Sequence, residues 1–133
     1  MSSGPDRATP SSFGPIIDRL WQTIEQRKTQ AMRLDGEKGA EHPDASPSYT
    51  VTLLTLPPDT INKKVVEEAA EVVMAAKDYE AARGQGSEGV SPYGTARDHL
   101  VYEMGDLLYH VLVLCARYDV TPDDLAAELQ RRF

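Results

Sequence analysis

The stretch Lys63-Lys64-Val65-Val66-Glu67-Glu68-Ala69-Ala70-Glu71-Val72-Val73-Met74-Ala75-Ala76-Lys77 has no glycine or proline and is rich in alanine, glutamate and lysine. Those residues lose little freedom in a helix. At about 100° per residue, Val65, Val66, Ala69, Ala70, Val72, Val73 and Ala76 fall on one broad apolar face. Glu68 and Glu71, three apart, lie together on the edge of that face, and Glu67 points further toward solvent. The spacing predicts a helix from about Ile61 to Ala82. Pro57-Pro58 stops whatever precedes it, and Asp59 or Thr60 can cap it.

A second stretch, Glu103-Met104-Gly105-Asp106-Leu107-Leu108-Tyr109-His110, belongs to another long helix expected over about Ala96–Tyr118. Glu103, Asp106 and His110 share an arc roughly 60° wide, flanked by Leu107 and Leu114 on one side and Val113 on the other. Between the two helices, residues 84–94 are rich in glycine and form a flexible connection.

Outward from this pair, Ile16, Ile17, Leu20, Ile24 and Ala31 recur at helical spacing up to about Met32. Residues 1–15 form a mobile tail, and Asp35–Ser48 form a long exposed loop. Tyr49-Thr50-Val51-Thr52-Leu53-Leu54-Thr55-Leu56 has the propensity of a strand. A lone strand has no partner, so a short helix or an extended packing segment is expected. Thr121-Pro122-Asp123-Asp124 starts a last amphipathic helix reaching Arg132. The expected architecture is all-α: a single domain over 16–133, four to five helices in a bundle completed by dimerisation.

Composition narrows the function. The 133 residues are 41% hydrophobic, enough for a core, and carry a formal charge of −7, which disfavours nucleic acid as a partner. No apolar run is long enough to span a membrane, and the N-terminus lacks the order of a signal peptide, so a cytoplasmic location is expected. Cys115, the only cysteine, sits in an apolar run and reads as a reduced core residue. His42, His99 and His110 are scattered and have no second thiol beside them, which argues against zinc.

Carboxylates hemmed by apolar residues are costly without a compensating partner. A hard cation is the simplest one. Mg²⁺ takes oxygen ligands, keeps several waters and suits one or two carboxylates per helix. It also offsets the acidic field against an anionic substrate. The residues therefore point to a Mg²⁺ site that can take a small anionic substrate. A non-enzymatic helical interaction module is the competing reading.

These two strings together closely resemble the phosphoribosyl-ATP pyrophosphohydrolase family. The E-E-x-x-E and E-x-x-D pattern marks the wider all-α nucleotide pyrophosphohydrolases, which include house-cleaning enzymes acting on nucleoside triphosphates. Asp106-Leu107-Leu108-Tyr109-His110, Lys63-Lys64 and Ala75-Ala76-Lys77 point to the narrower branch. Glu25-Gln26-Arg27-Lys28, Ser48-Tyr49-Thr50 and Glu128-Leu129-Gln130-Arg131-Arg132 match more weakly, extending the resemblance over about 16–133.

The resemblance implies hydrolysis of phosphoribosyl-ATP to phosphoribosyl-AMP and pyrophosphate, the second step of histidine biosynthesis, by a homodimer with sites near its interface. It implies Glu68, Glu71, Glu103 and Asp106 as Mg²⁺ ligands. Glu67, Glu68 and His110 take catalytic roles, and Arg27, Ser48, Lys63 and Lys64 are candidate phosphate contacts. Tyr49 and Tyr109 are expected to pack rather than to stack on substrate. Val66 departs from the family's usual glycine before the glutamates, and the loops at 35–47 and 84–97 are longer than usual.

Overall fold

A computed structural model describes residues 12–36 and 48–133. It contains five helices: α1 (Phe13–Gly36), α2 (Tyr49–Thr55), α3 (Pro58–Gly84), α4 (Ala96–Arg117) and α5 (Pro122–Gln130). The all-α expectation holds, with no strand among the described residues. Most of the expected tail and of the expected loop after Asp35 falls outside the described residues.

Boundaries shift where local chemistry permits. The first helix begins at Phe13 rather than Ile16, because Pro15 in the opening turn removes only an N–H that has no helical partner there. The third begins at Pro58 for the same reason. The Thr121 hydroxyl accepts from Asp124 N while the Asp124 carboxylate accepts from Thr121 N, and this reciprocal cap opens α5 where expected. α4 ends with a backbone bond from Val120 N to Cys115 O (2.8 Å) and Asp119 left-handed at φ 58°, a helix stop usually made by glycine. Lys28 of α1 binds both Asp119 and the Ala116 carbonyl, which fastens this stop to the first helix.

The β-branched segment folds as helix α2 because tertiary contacts outweigh its propensity. Ser48 Oγ accepts the Val51 N–H at 3.1 Å, and Val51 and Leu53 are buried. At the other end the Arg117 guanidinium donates to the carbonyls of Leu53 (3.3 Å), Leu54 (2.9 Å) and Leu56 (2.6 Å), satisfying terminal acceptors from α4. Ile24, Leu53, Ile61, Leu112, Val113 and Ala116 form the core, drawn from the first four helices.

The most extensive helix contact joins α3 to α4. The broad apolar face expected on α3 is a narrower stripe: Ile61, Glu68 and Ala75, seven apart, are the buried residues. Val66 and Val73 are 70% and 59% exposed. α4, with α2 at the first turn, covers only a stripe of α3, so the flanks stay open within a single chain. Val66 therefore does not tighten packing inside the chain. Among the described residues, no helix is long and apolar enough to cross a membrane.

Candidate metal centre

Just beyond the core, α3 and α4 bring their carboxylates together. Oxygens of Glu68, Glu71 and Glu103 lie within 4.8 Å of one another, and so do ligand atoms of Glu68, Asp106 and His110. Glu68 belongs to both groups. Glu68 meeting Asp106, and Glu71 meeting Glu103, is the pairing order of antiparallel helices. The four residues named as metal ligands from the sequence thus converge on one place.

The cluster is partly withdrawn from water. Glu68 and Glu103 are 3% and 5% exposed, whereas Glu71 is exposed and Asp106 half-buried. Lys64 Nζ lies 3.0 Å from Glu68 Oε1 and 3.3 Å from the exposed Glu67. The other oxygen, Glu68 Oε2, is buried and has no hydrogen-bond partner among the described residues. A buried, unpartnered carboxylate oxygen is costly, and a cation is the partner that fits it.

Charge crowding shapes the protonation. Burial pushes the Glu68 carboxyl up, but the Lys64 ammonium above all holds it below its ordinary range. Burial, followed by Glu68, raises Asp106. Glu71 is pushed up to about 7, first by the neighbouring Glu103 and then by Glu68. From its ordinary 4.5 to about 7, the unfolded chain has lost the Glu71 proton while the folded chain keeps it. Rising pH through that window therefore destabilises the metal-free fold. Glu71→Gln is expected to melt higher than the parent at pH 8 in the presence of chelator, with the gap closing toward pH 4.5. A gap that does not change with pH would contradict the shared-proton picture.

His110, 2% exposed, lies beneath the cluster. Its Nδ1 is 2.7 Å from the Asp106 carbonyl oxygen, which can only accept, so Nδ1 carries the hydrogen. Nε2 is 2.8 Å from the Tyr49 hydroxyl and, in that tautomer, accepts its proton. Both ring nitrogens are engaged, so the imidazole ties α2 to the Asp106 turn. Tyr49 and Tyr109 pack at 6.2 Å between centroids, and the Tyr109 hydroxyl bonds Thr50.

The other sequence candidates make contacts of their own. Ser48 caps α2, Arg27 donates to Gln30 on its own helix (3.2 Å), and Lys63 is exposed. Lys64, grouped with Lys63 from the sequence, alone reaches the carboxylates. Sequence reading missed Tyr49 as the partner of His110, because that contact crosses 61 positions. It also missed His99, whose Nε2 lies 3.8 Å from Glu103 Oε1, although its spacing four before Glu103 marks the shared face.

Comparison with known proteins agrees with this geometry. The family model for phosphoribosyl-ATP pyrophosphohydrolase matches residues 32–133. The phosphoribosyl-ATP pyrophosphatase of Ralstonia pickettii is 44% identical over 116 residues, 87% of this chain and 79% of that protein. The one from Paracidovorax citrulli is 37% identical over 131 residues, 98% of this chain and 80% of the relative. The Nitrosomonas eutropha protein of the same name is 34% identical over 122 residues, 92% and 80% respectively.

Proposed function

The chain belongs to the phosphoribosyl-ATP pyrophosphohydrolase family, and from that premise we propose that Glu68, Glu71, Glu103 and Asp106 hold Mg²⁺ against the phosphates of the substrate. The reaction is hydrolysis of phosphoribosyl-ATP to phosphoribosyl-AMP and pyrophosphate, the second step of histidine biosynthesis. The observation that carries the site assignment is Glu68: buried, common to both ligand groups, and with Oε2 unpartnered among the described residues.

Bound Mg²⁺ supplies charge neutralisation on the phosphate oxygens and lowers the pKa of a coordinated water. The chain's own residues divide the remaining work. Glu103 and Glu68, buried, fix the position of the ligand set; Glu71 and Asp106 complete it from the more open side. Glu67 lies outside both ligand groups, and we assign it the proton of the attacking water. Lys64, now tied to Glu67 and Glu68, stands at the rim as a positive charge for a phosphate, with Lys63 beside it. We assign Ser48, whose hydroxyl accepts at the α2 cap and keeps its own hydrogen to donate, and Arg27 as further phosphate contacts. His110 positions the Asp106 turn through its carbonyl.

The exposed Val66, Val73 and Met74 of α3 and Val101 and Met104 of α4 support pairing with a second copy as a homodimer. The function is tested by pyrophosphate release from phosphoribosyl-ATP, dCTP, dUTP and ATP, each with and without Mg²⁺. Mg²⁺-dependent turnover confined to phosphoribosyl-ATP is expected. Turnover of the deoxynucleotides instead would move the chain to the house-cleaning enzymes, and no turnover at all would favour a non-enzymatic module.

A further inference from the structure

The face of α4 that carries the carboxylates continues into aromatic residues one turn toward its N-terminus. Tyr102 precedes Asp106 by four residues, which sets it about 40° around and about 6 Å along the helix from that carboxylate. It lies closer around the helix to that carboxylate than to the open apolar flank: Val101 is about 100° away and Met104 about 160°. The Tyr102 ring stacks on Tyr93, with centroids 3.9 Å apart and planes 13° from parallel. His99 lies 5.2 Å from Tyr93 and 3.8 Å from Glu103 Oε1, so the aromatic and acidic rows meet.

The link between α3 and α4 holds Tyr93 there. Ser91 and Gly94 form an antiparallel bridge, Tyr93 N donates to Ser91 Oγ at 3.1 Å, and Gly94 turns the chain at φ 116°. A side-chain Cβ at Gly94 would meet Asp98 Oδ2 at 2.5 Å, so the turn is built for glycine. This hydrogen-bonded turn does not bury the two rings: Tyr93 and Tyr102 remain 47% and 48% exposed. Among the described residues, no other ring packs on Tyr102.

We propose that the Tyr93–Tyr102 pair is the stacking platform for the purine of the nucleotide whose phosphates face the carboxylates. This rests on the reading that phosphoribosyl-ATP is the substrate. One ribose separates an α-phosphate from its base, a span comparable to the single helical turn between Asp106 and Tyr102. A π-face held in place by a hydrogen-bonded turn binds a base without hydrogen bonds to its edge.

The test pairs kinetics with a probe that carries no phosphate. Tyr102→Leu keeps apolar bulk and removes the ring; its KM for phosphoribosyl-ATP is expected to rise about ten-fold, with kcat changed less than about two-fold. Tyr102→Phe is expected to restore the parent KM. Adenosine added to the metal-free protein is expected to shift the ring-proton resonances of Tyr93 and Tyr102, and to leave Tyr93 unmoved in Tyr102→Leu. A parent-like KM in Tyr102→Leu would overturn the platform while leaving the substrate assignment intact. If the parent itself fails to turn over phosphoribosyl-ATP, the substrate assignment falls. The adenosine titration then decides the platform: ring shifts sustain it, and their absence overturns it.

Discussion

Glu68→Gln is expected to lower Mg²⁺-dependent kcat/KM for phosphoribosyl-ATP by on the order of 10³-fold, the upper range for losing one preorganised electrostatic partner. The substitution is nearly isosteric, so packing around the side chain is retained. What it removes is the charge common to both ligand groups and the oxygen best placed to meet a cation. Stability is expected to move little in the metal-free protein. Replacing the buried charge relieves a desolvation cost and forgoes the attraction of the Lys64 ammonium, and these offset each other; the ammonium, 30% exposed, can turn to water. Raising Mg²⁺ should then raise the melting temperature of the parent and leave Glu68→Gln unmoved. A variant that unfolds, or one that keeps parental turnover, would each contradict this account.

Ile61→Ala is expected to cost about 3 kcal/mol of stability, within the usual range for truncating a fully buried isoleucine. Ile61 is 0% exposed and belongs to the cluster with Leu53, Leu112 and Val113, so it joins the first turn of α3 to α2 and α4. The loss should appear as a lower denaturant midpoint at an unchanged slope. Below the melting transition kcat should stay near the parent value, because the carboxylates lie further along both helices. Val66→Ala, at an exposed position on the same helix, should change the stability of the single chain by less than about 0.5 kcal/mol.

These two positions show where the sequence was legible. Glu68, Glu71, Glu103 and Asp106 were found because helical periodicity places residues three and four apart on one side, and the structure brings them together as that geometry requires. The helix cap at Thr121, read from the sequence, is likewise local, formed with the aspartate three residues on. The α2 segment resisted reading because its β-branched residues favour strand, while its helix depends on Ser48 at one end and on Arg117, far along the chain, at the other.

The apolar face of α3 was read too broadly for a related reason. Periodicity marks which residues are apolar on one side, but how many of them are covered depends on the partner. Val66 and Val73 stay open against a single neighbouring helix, whereas Ala75 is buried. The Tyr49–His110 bond and the Tyr93–Tyr102 stack share that character, since each joins segments whose approach is set by tertiary packing. Within α4, by contrast, spacing alone placed Glu103, Asp106 and His110 on a shared arc.

Titration with Mn²⁺, read by the paramagnetic signal of the free ion, tests without substrate whether the carboxylates of α3 and α4 bind the divalent cation that drives hydrolysis. Saturable binding to the parent protein is expected, displaced by Mg²⁺ and weakened at least about a hundred-fold in Glu68→Gln. Equal Mn²⁺ affinity in the parent and in Glu68→Gln would contradict that role for the carboxylates.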